Sequence, residues 1–131
     1  MVIGRINAFY EAVIPIRLQD VKGIVHEFTA VVDTGFNGTL TLPSKTIALL
    51  GLPWRTRGSA ALADGSEGTF DIYAATILWD GLPRPILVEA VEMMPLVGMR
   101  LLADHDLQMR VQPGGAVKIV AVRKHGESRT R

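Results

Sequence analysis

Apolar residues recur at every second position over much of this chain, and that period leaves room for little besides extended strands. Ile14, Ile16 and Leu18 alternate with Pro15, Arg17 and Gln19. Successive side chains of a strand point to opposite faces, so the pattern predicts half-buried strands. Residues 20–23 read as a turn and 24–32 as the returning strand. Residues 39–42 form a further short strand. Pro43-Ser44 opens a helix over 45–50, with Ser44 as N-cap and with Gly51 and Pro53 ending it. Segments 57–62 and 69–79 are extended, joined by a tip of turn formers, Ala63-Asp64-Gly65-Ser66-Glu67-Gly68. Asp80-Gly81 turns the chain into a strand over 85–92. Pro95-Leu96-Val97-Gly98 leads into a short helix over 99–103, and 108–112 with 116–122 form a last hairpin. No repeat of solenoid length is visible. Many short strands with two brief helices predict a mainly-β barrel or sandwich.

Composition narrows the function classes. A length of 131 residues suits one domain, and 48% apolar content can fill one core. The net charge of +1 is no nucleic-acid signature. Its positive part sits at the end: Arg123, Lys124, Arg129 and Arg131 against Glu127 leave residues 1–122 at −2. The division is therefore a domain over 1–122 and a basic tail over 123–131, expected to be disordered. The absence of cysteine excludes disulfides, thiol nucleophiles and cysteine zinc sites. No basic region followed by an apolar block marks a signal peptide, and no stretch approaches the roughly 20 apolar residues of a membrane span. A cytoplasmic protein without nucleic-acid or membrane partners is expected.

Phosphate-binding, dinucleotide-binding, zinc-protease and serine-hydrolase motifs are missing. Asp104-His105-Asp106 reads as a solvated loop rather than a metal site or triad. Trp54, Trp79 and Tyr73 read as core or interface fillers. What stands out is Val31-Val32-Asp33-Thr34-Gly35, an apolar strand driving into a carboxylate. An unpaired buried charge costs several kcal/mol, about 3–5 where a buried pair is broken. A plain turn would also use Asp-Thr-Gly.

The motif and its successors resemble the retropepsin-like aspartic proteases, and among them the small bacterial single-domain members. Three features occur in order: Val31 to Gly35, the hairpin tipped by Ala63 to Gly68, and Leu96-Val97-Gly98. Phe36-x-Gly38 and Gly98-x-x-Leu101-Leu102 extend the likeness. Retroviral members carry a further Asp paired with an Arg directly after the later Gly. Here those places hold Asn37 and Met99, with Arg100 one position on, so that ion pair is not transferred. The tip is polar rather than Gly-Ile rich.

The resemblance implies a closed acid-protease β-barrel with one motif per subunit and no cofactor or metal. It implies an endopeptidase acting on a peptide or protein substrate, with Asp33 as the catalytic residue. Two carboxyls about 3 Å apart share one proton, so one can activate water while the other donates to the scissile carbonyl. A chain with one such motif completes the pair only across the two-fold axis of a homodimer. Thr34 and Gly35 support the turn, residues 63–68 form a flap, and Leu96, Val97 and Gly98 support the cleft. The contrasting reading is a retropepsin-like binding or dimerisation module with little hydrolysis.

Overall fold

The computed structural model describes residues 1–61 and 63–122. Leu62 and the basic tail, 123–131, lie outside the described residues. The chain runs β1 (Val2–Ile6), β2 (Ala12–Gln19), β3 (Val25–Val32), β4 (Leu40–Leu42), α1 (Ser44–Leu50), β5 (Trp54–Ala61), β6 (Glu67–Trp79), β7 (Leu82–Ala90), β8 (Leu96–Val97), α2 (Met99–Leu102), β9 (His105–Met109) and β10 (Ala116–Ala121). The mainly-β expectation holds, and both helices fall where the sequence places them.

The period of two becomes a core. In β2 the inward residues Ala12, Ile14, Ile16 and Leu18 are buried, while Pro15 and Arg17 face out. They join Ala75, Ile77 and Trp79 of β6, Ile86 and Val88 of β7, and Val117 and Ile119 of β10 in one cluster. Each Ile, Leu or Val side chain among them contributes about 1.5–3 kcal/mol when taken from water. The strands are ordered β5-β6-β7-β4-β8-β3-β2-β1-β10-β9. β2 also pairs with β6, at Arg17↔Leu78 and Leu18↔Ile77, so pairings run in a circuit through β6, β7, β4, β8, β3 and β2.

Several details depart from the sequence reading. β1 was not legible: Gly4 interrupts its short apolar run. That glycine is required, because a Cβ there would overlap the Val13 carbonyl and the Ile14 side chain of β2. Pro43, not Ser44, precedes the first turn of α1, and it makes no side-chain cap. Ser44 instead donates its N–H and hydroxyl to the Glu92 carboxylate. Gly51 ends α1 at φ 67°, the left-handed conformation that glycine adopts freely. β7 begins at Leu82 rather than at 85. It pairs with β4 only at Val88, Glu89 and Ala90, so Pro83 and Pro85 lie where it has one neighbour, a setting that tolerates proline.

Asp104-His105-Asp106 is not simply a solvated loop. His105 opens β9, with Nδ1 on the Ala103 carbonyl at 2.8 Å and Nε2 accepting from the Trp79 indole at 3.0 Å. Trp79 is core, Tyr73 is half-buried, and Trp54 is exposed, its indole donating to Asp71 at 3.0 Å. Trp54 is therefore not a core filler: it lies on the edge strand β5 and is exposed in the single chain.

Candidate active site

Asp33 follows the last residue of β3, and the main chain holds it from both sides. β8 pairs in parallel with β3 through Val31↔Leu96 and Val32↔Val97, and in antiparallel with β4 through Leu40↔Val97. The Asp33 N–H donates to the Val97 carbonyl at 2.9 Å. The Gly35 N–H donates to Oδ1 of Asp33 at 2.9 Å, and the Phe36 N–H to the Asp33 carbonyl at 3.1 Å. This is an Asx-type turn that fixes the carboxylate plane. The side chain is half-buried rather than buried, because β3 ends one residue earlier and Thr34 and Gly35 are exposed. Among the described residues no other hydrogen bond reaches the Asp33 carboxylate, and none engages the Thr34 hydroxyl.

The predicted support residues come together beneath this turn. A helix start leaves N–H groups without intrahelical partners. At α2 the loop after Asp33 supplies carbonyls for three of them: Gly98 N–H to Thr39 at 3.0 Å, Met99 to Phe36 at 2.8 Å and Arg100 to Gly38 at 3.0 Å. Gly98 is indispensable in this packing, since a Cβ would run into the Phe36 ring at 2.5 Å and its carbonyl at 2.8 Å. Gly38 is excluded from bearing a side chain by the same ring. The Phe36-x-Gly38 and Gly98-x-x-Leu101-Leu102 patterns thus describe one contact: a ring wedged between two glycines, with Leu101 and Leu102 buried below.

Thr41 had not been singled out by its sequence context. Among the described residues it is the buried polar one, 3% exposed, and its Oγ1 accepts the Leu96 N–H at 2.9 Å. A hydroxyl in the middle of Leu-Thr-Leu carries no signal beyond strand alternation.

The hairpin is formed as expected. β5 and β6 pair antiparallel from Arg57↔Asp71 through Ala61↔Glu67. Gly65 has φ 87°, so the tip demands glycine there. Gly68 lies within β6 opposite Ala60 and is not a turn residue. The polar tip bonds to itself. Ser66 donates its N–H and hydroxyl to Oδ1 of Asp64 at 2.9 and 2.5 Å, which lowers the Asp64 pKa below the usual aspartate value. Among the described residues no hydrogen bond joins this tip to the Asp33 turn.

A second acidic group escaped the sequence reading. Glu89 pairs with Thr41 across β7 and β4, and its carboxylate lies over Gly38. Burial raises its pKa above the usual glutamate value, opposed by the positive charge of Arg100. Arg100 thus faces a carboxylate on β7 rather than one beside the motif. Only strand register brings residues 89 and 100 together, so linear spacing could not reveal them. Among the described residues no cluster of three or more His, Asp or Glu side chains is arranged to hold a metal ion.

No family model matches the chain, and no curated protein matches it in sequence. Its fold is similar to the crystal structure of a retropepsin-like aspartic protease from Rickettsia conorii, with a TM-score of 0.55 over 90% of this chain and 87% of that one. The identity is 15%, so the likeness is one of fold. Among the described residues no helix is long and apolar enough to cross a membrane.

Proposed function

We propose that this chain is an aspartic endopeptidase of retropepsin-like fold, active as a homodimer, with the circuit of strands acting as a closed barrel. The observation that carries the reading is the Asp33 turn. One carboxylate oxygen is fixed by the Gly35 N–H, and the turn is exposed at Thr34 and Gly35, where a second copy could approach. Across a two-fold axis the two Asp33 carboxyls share a proton. The ionised one takes a proton from water, and the protonated one donates to the carbonyl oxygen of the scissile peptide. Thr34, whose hydroxyl is uncommitted among the described residues, bonds across the axis and ties the two turns together. The β5–β6 hairpin covers the cleft, its Ala63–Gly68 tip moving to admit a peptide. Leu96, Val97 and Gly98 form the floor. No step of this route calls for a cofactor.

The test is a mixed peptide library incubated at pH 4 to 7, with and without pepstatin. Asp33→Asn should lower cleavage by about a hundredfold or more, the usual contribution of a positioned acid or base, while leaving the fold intact. Specific activity should fall on dilution, because a monomer holds half a site. Full cleavage by Asp33→Asn, or by a sedimenting monomer, would overturn the shared pair.

A further inference from the structure

A cavity of about 720 Å³ opens beside the loop that follows Asp33, where Gly38 and Thr39 form part of its wall. That volume suits a side chain or a few residues of an extended ligand. Three arginines line it: Arg55 from β5, Arg84 from β7 and Arg100 from α2. Two carboxylates, Asp20 and Glu89, oppose them, and the first is tied up in hydrogen bonds. Asp20 accepts from His26 at 2.9 Å and from the Lys22 and Ile24 N–H groups at 2.8 and 2.9 Å. Glu89 lies in the field of Arg100. Arg84 is anchored by donation to the carbonyls of Leu101 and Arg100 at 3.3 and 3.4 Å, which holds its guanidinium at the cavity while leaving its charge uncancelled. The Arg55 side chain makes no hydrogen bond or ion pair among the described residues. The surplus is positive, and it is carried by guanidinium groups, whose planar donors match carboxylates.

We infer that this cavity is a recognition pocket for an acidic side chain of the peptide substrate, with Arg55 and Arg100 as specificity-determining residues. The inference rests on the protease reading for its substrate and deepens it. Gly38 is five residues from Asp33, and five residues of fully extended chain span about 17 Å. A bound strand advances about 3.3 Å per residue, so the recognised Asp or Glu lies within about five positions of the scissile bond. Apolar walls at Leu52, Pro53 and Ile72 suit the aliphatic part of such a side chain.

The experiment separates binding from cleavage. Full-length Asp33→Asn protein is titrated calorimetrically with matched decapeptides carrying Glu, Gln or Lys at single positions. The Glu peptide should bind about tenfold more tightly than its Gln counterpart, and the gap should narrow at high salt. Arg55→Gln and Arg100→Gln should each shrink the Glu-to-Gln ratio, and Glu89→Gln should widen it. Equal affinities for Glu and Gln peptides would overturn the inference. So would a Lys preference abolished by Glu89→Gln, which would make the cavity a cation pocket. If wild-type protein cleaves both peptides equally, the pocket falls and the protease reading stands. If it cleaves neither while the Asp33→Asn protein prefers Glu, the protease reading falls and the pocket stands.

Discussion

β6 is one strand with two regimes. From Ala75 to Trp79 every second residue is buried, and the strand has β7 on one side and touches β2 on the other. Ile72 to Ala74 still pair with β7 and Tyr73 packs against the core, but from Glu67 to Asp71 nothing is buried, and nothing in the partner β5 is buried either. The outer half is held by ladder bonds and by local contacts. Phe70 covers Gly58, where a Cβ would sit 2.6 Å from the ring. Asp71 takes the Trp54 indole and lies 3.5 Å from the Arg57 guanidinium. Exposed pairs of that kind contribute about 0–1 kcal/mol. A continuous backbone ladder therefore joins a segment anchored in the core to one that can open alone. Low local stability of this kind is what the proposed flap role requires.

The contrast is broken most directly by paired truncations. Ile77→Ala should destabilise the whole domain by about 2–5 kcal/mol in urea unfolding, through lost burial and a cavity. Phe70→Ala, half-buried in the outer half, should cost about 1 kcal/mol. Equal losses would mean that β6 is a single cooperative unit.

A smaller effect on stability is expected at the tip. Gly65→Ala places a Cβ at φ 87°, a strain of about 1–2 kcal/mol in a formed turn. The tip can relieve that strain by fraying, so the midpoint of global unfolding should barely move while peptide turnover slows several-fold. Unchanged kinetics would make the hairpin a bystander.

The smallest expected effect sharpens the inner regime, and its sign follows from Glu89. Its folded pKa is raised by burial, so folding favours the protonated form. That contribution is fully present below the ordinary glutamate value, about 4.3, and is lost as pH rises through the raised value. Wild-type protein should therefore lose stability relative to Glu89→Gln as pH climbs from about 4, then run parallel to it. Urea midpoints for both proteins from pH 4 to 8 check this. Curves parallel throughout would mean that Glu89 ionises as freely in the fold as in the unfolded chain.

These two regimes bear on what the sequence could disclose. β2 is legible because each of its residues answers to one question, in or out. The Asp33 turn, the hairpin and the Leu96-Val97-Gly98 segment are legible because each depends on short-range chemistry: a carboxylate turn, glycines at a tip, a glycine before a helix. β1 is not, because its glycine serves a strand nine residues on, at Val13. Glu89 and Arg100 were invisible for a related reason. Their meeting depends on the register of β4 against β7 and on the placement of α2, neither of which has a local signature. Trp54 is not core because β5 is an edge strand none of whose described side chains is buried, so aromatic size alone does not place a side chain inside.

The lock between the Asp33 turn and α2 sets an order of events during synthesis. Residues 33 and 97 are joined by a main-chain hydrogen bond, and the carbonyls at 36, 38 and 39 are taken by N–H groups at 98 to 100. A chain still emerging from the ribosome displays its Asp-Thr-Gly long before the segment that braces it exists. Contacts of such separation form late. The turn is therefore expected to gain amide protection only together with Val97 and Gly98, which pulsed hydrogen exchange during refolding would time. A nascent chain then displays its Asp33 turn unbraced until residues 97 to 100 have been made.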